Sequence, residues 1–158
     1  MQEADGCVKR FAIVLAGALL ADACARPEPA PDPGALAGSG GVEAGLISSF
    51  EAQVAADSVR FTLHVTNATA EPIELEFPSA QRFDFEVLAE DGTEVWRWSA
   101  EQMFAQMLGT EQIGAGEIVD YEAVWDASGR RGAYTAVGRL TSSDKPLELR
   151  TRFEIPDR

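Results

Sequence analysis

Val59-Arg60-Phe61-Thr62-Leu63-His64-Val65-Thr66-Asn67 is the stretch that decides the fold class. Val59, Phe61, Leu63 and Val65 alternate with Arg60, Thr62, His64 and Thr66. Successive side chains of a strand point to opposite faces, so a period of two buries one face and leaves the other in water. The neighbours repeat the pattern. Upstream, the alternation begins near Leu46. Downstream, residues 67–72 form a turn cluster, and Ile73, Leu75 and Phe77 then alternate with Glu74 and Glu76 until Pro78 ends the strand. Phe83, Phe85 and Val87 alternate with Asp84 and Glu86, and the Glu90-Asp91-Gly92 turn leads into residues 94–98 as a hairpin.

Ser99-Ala100-Glu101-Gln102 has the spacing of a helix capping box, and Met103, Phe104, Met107 and Leu108 follow on one face of a two-turn helix that Gly109 ends. Three more strands are expected at residues 118–125, 133–140 and 147–155, joined by loops carrying Gly129, Gly132 and Asp144-Lys145-Pro146. Seven to eight short strands at even spacing, with one short helix, predict an all-β antiparallel sandwich over residues 46–158.

The chain has 158 residues, enough for one domain, and 46% of them are apolar. Its formal net charge of −13 has no basic stripe to offset it, which argues against nucleic acid and against docking on anionic lipid. Cys7 and Cys24 both precede the folded part, so neither a disulfide nor a cysteine zinc site is expected in it.

Lys9 and Arg10 stand before an uncharged apolar run at residues 11–20, and Ala21-Asp22-Ala23 follows. That order predicts a signal peptide over residues 1–23 with cleavage after Ala23; the run is far short of the roughly 20 residues of a membrane span. Cys24 at the next position favours lipidation of its thiol over plain cleavage. The resulting expectation is an exported protein of the cell envelope, lipid-anchored, with a periplasmic or secreted form as the alternative. Residues 24–45, rich in Pro, Ala and Gly, are expected to be a linker that does not pack.

Few residues invite chemistry. His64 is the only histidine, and no Gly-x-Ser-x-Gly turn accompanies it, so a hydrolase triad is not expected. Copper held by His64, Met103 and Met107 suits thioether chemistry, but their spacing does not require it, and no metal or cofactor is predicted. The pairs Asp120/Glu122 and Glu74/Glu76 read as solvated strand faces rather than glycosidase carboxylates, and Glu90-Asp91-Gly92 lacks the ligand series of a calcium loop. Trp96 and Trp98 share a strand face, either filling the core or forming a contact hot spot.

The run Phe77-Pro78-Ser79-Ala80-Gln81-Arg82-Phe83-Asp84-Phe85, followed by Asp91-Gly92, Glu94-Val95-Trp96-Arg97-Trp98-Ser99 and Met103-Phe104, resembles the intracellular proteinase inhibitor (BsuPI-type) family. Phe61-Thr62-Leu63-His64-Val65-Thr66-Asn67 is similar to its opening strand and turn. Tyr121-Glu122, Trp125-Asp126 and Gly132-Ala133-Tyr134-Thr135 are similar to its closing strands. The resemblance implies an immunoglobulin-like sandwich and, as for the family's prototype, inhibition of an intracellular serine protease by protein contact. No enzymatic activity is expected, because the sequence supplies no convergent set of titratable groups. Two segments could present such a contact. One is Ser79-Ala80-Gln81-Arg82, stiffened by Pro78, with Arg82 free to enter an acidic pocket or to bind the turn onto its own domain. The other is the Gly-flanked pair Arg130 and Arg131. The alternative is a non-inhibitory accessory, adhesion or assembly module of the bacterial envelope, since a sandwich does not fix function.

Overall fold

The computed structural model describes residues 37–157. The expected signal peptide, cleavage site Ala23, lipidation site Cys24 and first part of the linker lie outside them. Ten strands run in chain order: β1 Ala37–Glu43, β2 Leu46–Val54, β3 Ser58–Asn67, β4 Ile73–Phe77, β5 Phe83–Ala89, β6 Glu94–Arg97, β7 Gly109–Ile113, β8 Ile118–Asp126, β9 Gly132–Leu140 and β10 Leu147–Ile155. They form three antiparallel sheets, ordered β1-β2-β3-β8, β10-β9-β5-β6 and β4-β7.

The period of two in β3 is what the structure buries. Val59, Phe61, Leu63 and Val65 are fully buried, and so are Phe50 on β2 and Phe85 and Val87 on β5. Phe50 meets Phe85 across the two large sheets at 5.2 Å between ring centroids, and Phe61 meets Trp96 at 5.8 Å. With no cysteine among the described residues, this aromatic layer is the main source of cohesion, at roughly 25 cal/mol for each Å² of apolar surface removed from water.

Two expectations need correction. The second half of the expected linker, residues 37–43, is strand β1, paired with β2 from Ala37↔Ala52 to Glu43↔Leu46. Its Gly-rich sequence carries no alternation, yet glycine lets the backbone lie close to its neighbours: a Cβ on Gly41 would come within 3.2 Å of the Leu149 side chain. The two-turn helix at residues 99–108 is absent. A single 3-10 turn, Trp98–Glu101, is followed by irregular chain over residues 102–108. The Ser99 hydroxyl donates to Asp84 (2.8 Å) instead of capping a helix, and Gly109 opens β7 opposite Phe77. Two turns are also too few to hold a helix without packing.

Candidate functional site

The small β4-β7 sheet carries the two connections that stand out from the sandwich, residues 78–82 after β4 and residues 102–108 before β7. Its position is fixed from several sides. At the end of β3, buried Asn67 donates through Nδ2 to the carbonyls of Glu71 (2.7 Å) and Ile113 (3.0 Å), fastening the turn and the end of β7 together. The β9–β10 connection binds the other edge of β4. There the Ser143 amide donates to the Glu76 carbonyl (2.8 Å), and the Glu76 amide donates to Asp144 (2.8 Å). Lys145, the Ser142 hydroxyl and the Glu76 amide hold the Asp144 carboxyl well below its ordinary range.

Residues 78–82 are tied down by their own side chains. The Gln81 amide donates to the Ser79 hydroxyl (3.2 Å), and the Gln81 side chain donates to the Phe83 carbonyl (3.0 Å). Thr141 donates through its amide to the Arg82 carbonyl (2.9 Å) and through its hydroxyl to the Gln81 carbonyl (2.9 Å). Arg82 lies 3.2 Å from Glu111 and donates to the Ser79 carbonyl at 2.9 Å. Its guanidinium sits 4.4 Å over the Phe77 ring. It is a latch between the connection and β7, turned inward rather than offered to a pocket. Tyr121 completes the group by donating to Glu111 (3.3 Å). Burial first, and then the Glu111 carboxylate, push the Tyr121 hydroxyl above its ordinary range, so it stays a donor at neutral pH.

Residues 102–108 lie against that connection. The Ala80 amide donates to the Ala105 carbonyl at 2.9 Å. Trp98 stacks on Phe83 with centroids 4.1 Å apart and packs on Phe104 at 5.6 Å. Trp98 is itself positioned by Asp84, a buried carboxylate that accepts from the Ser99 amide (3.1 Å), the Ser99 hydroxyl and Arg97 (3.2 Å). Composition alone gave no sign of this anchor, because Asp84 falls on the polar phase of β5. Between these ties Met103, Met107 and Leu108 point outward, with 100%, 68% and 82% of their surface exposed. Trp96 instead packs inward on Phe61 and Trp125.

The other candidates stand apart. Arg130 is exposed and Arg131 half-buried in the β8–β9 connection, where the Tyr134 hydroxyl donates to the Arg131 carbonyl (3.1 Å). Strand register sets Ser49, His64 and Asp120 in one row on the outer face of the first sheet. His64 and Asp120 bond at 2.6 Å, but no hydrogen bond joins Ser49 to the ring, and the amides around them are spent in the ladder rather than aimed at an oxyanion. Glu122 is occupied by Arg60 and Thr62. Among the described residues no group of three or more His, Cys, Asp or Glu side chains could hold a metal.

The model of the BsuPI family, described as intracellular proteinase inhibitor, matches residues 46–145. The chain belongs to that family. The BsuPI match runs from β2 into the β9–β10 connection and so includes every tie just described. No curated protein matches the sequence. Among solved structures, the Bacteroides uniformis beta-glucuronidase 2 covalently bound to cyclophellitol-6-carboxylate aziridine is similar at 12% identity and a TM-score of 0.38. That comparison covers 76% of this chain and only 13% of the other. The BsuPI description names intracellular inhibitors, and this overturns the expectation of an exported, lipid-anchored envelope protein. The expectation rested on the order of residue types in residues 1–24, which lie outside the residues that the family matches.

Proposed function

We propose that the BsuPI domain inhibits a serine protease by direct, reversible protein contact and performs no chemistry of its own. The observation that carries this reading is the pair of adjacent connections on the β4-β7 sheet, joined by the Ala80–Ala105 hydrogen bond, fastened by Arg82 to Glu111 and carrying the exposed Met103, Met107 and Leu108, in a chain of the proteinase inhibitor family. Tight inhibition needs a segment already held in its bound shape, because ordering a loose loop on binding consumes affinity. A titration of the 158-residue chain against a panel of purified serine proteases tests it. Activity of at least one enzyme should fall linearly to an equivalence point near one chain per active site. Full activity of every enzyme at large molar excess, with the domain folded, refutes the reading.

A non-inhibitory binding module is the second reading. It is favoured by Val42, Ile47 and Ile118, which stand exposed in one row across the outer face of the first sheet, with Thr66 of β3 between Ile47 and Ile118. In that case the same titration leaves every protease active.

A further inference from the structure

Residues 102–108, Gln102-Met103-Phe104-Ala105-Gln106-Met107-Leu108, carry no charge, in a chain where 25% of residues are charged. They hold three of the large apolar side chains that the domain leaves in water. Exposed apolar clusters of this kind mark contact surfaces, and methionine adapts its shape to a partner. The chain entering the segment is extended, with Gln102 at φ −119° and ψ 154°. Phe104 is held by Trp98 and the Ala105 carbonyl by the Ala80 amide, so the residue between Gln102 and Phe104 projects from a backbone fixed just behind it.

Resting on the inhibitor reading above, we infer that residues 102–108 are the segment that enters the protease cleft, with Met103 in the specificity pocket, and that the target has an apolar pocket rather than an acidic one. Met103 is fully exposed and flanked by tethered chain, the arrangement an inserted side chain needs. Arg82, whose guanidinium lies beside Gly109 just past the segment, is committed to Glu111, Ser79 and Phe77 and cannot also fill an acidic pocket. The chemistry of the pocket sets which side chain a serine protease accepts, so an unbranched thioether selects an apolar slot.

The test titrates the full chain and its variants against one protease with an apolar slot and one with an acidic pocket. The unaltered chain should inhibit the first. Met103→Asp should raise the inhibition constant at least about 30-fold, the scale of a hot-spot residue. Met103→Arg should move inhibition to the acidic-pocket enzyme, while Arg130→Ala should change neither value more than about twofold. Unchanged melting temperatures establish that the variants are folded, as expected for an exposed position. Wild-type inhibition by Met103→Asp, Met107→Asp and Leu108→Asp alike, or its loss in Arg130→Ala, overturns the inference and leaves the inhibitor reading standing. Failure of the unaltered chain against both of these enzymes, when it inhibits another of the wider panel, overturns only the apolar-pocket assignment. Failure against the whole panel overturns both.

Discussion

The Ala80 amide donates to the Ala105 carbonyl across 2.9 Å, joining two connections separated by 25 positions in the chain into one surface. What that surface leaves outside on residues 102–108 carries no charge, and Met103, Met107 and Leu108 supply its apolar part. Ala80→Pro removes the donor. A single hydrogen bond contributes about 1 kcal/mol net, so residues 102–108 should open about fivefold more often. Limited digestion followed by mass spectrometry should show faster cleavage within the segment, with the rest of the domain intact.

Arg82→Ala should act on stability before it acts on any partner. It removes the pairing with Glu111, the bond to the Ser79 carbonyl and the contact with Phe77. With Arg82 and Glu111 each about 30% exposed, a loss of about 1–2 kcal/mol is expected, measured by urea unfolding. Arg82→Lys should recover only part of it, because an ammonium cannot reproduce the fork of the guanidinium. Identical unfolding midpoints for all three proteins would refute the latch.

Gly138 is where β9 passes beneath the ring of Phe50. A Cβ there would lie 2.7 Å from Cδ2 and 2.8 Å from Cε2 of a fully buried ring, itself wedged between Phe61 and Phe85. The ring has nowhere to go. Gly138→Ala should therefore destabilise the domain by about 1–3 kcal/mol through overpacking, read as a fall of several degrees in Tm.

Acid should loosen the edge of β4 through Asp144. Its folded-state pKa lies below the unfolded one, so its contribution is complete above the unfolded value of about 3.9 and is lost as pH falls through the folded value. Glu94 and Glu148 are lowered in the same direction. The comparison with Asp144→Asn isolates one group: the variant should melt lower at neutral pH, and the gap should narrow, without closing, as pH drops from about 5 to about 2. A constant gap across that range would remove Asp144 from the account.

The large sheets were legible because their strands alternate. β2, β3, β4, β8 and β10 each show burial every second residue over much of their length, and that is what hydropathy patterning detects; β5 alternates in its residue types although Asp84 and Glu86 are buried with their neighbours. β1 and β7 were not, for a physical reason. The sequence Ala37–Glu43 has few side chains to pattern, and in Gly109–Ile113 only Ile113 is buried. Both strands exist because a neighbour offers an unpaired backbone edge, a tertiary fact that no local window contains. The helix expected after Ser99 failed for a related reason: its capping hydroxyl bonds Asp84, a residue fifteen positions away. The candidate site was half visible. Residues 79–82 fall next to it, but the role of Arg82 could be read only once Glu111 and Phe77 were placed around it.

The central claim is that the domain acts by occupying a protease's active-site cleft. Binding of the 158-residue chain to an inhibited serine protease should be measured by calorimetry in two states, with the cleft free and with the catalytic serine capped by a covalent substrate-like inhibitor that fills the specificity pocket. The account predicts one-to-one binding to the free enzyme and none to the capped one. Equal binding to both would contradict it.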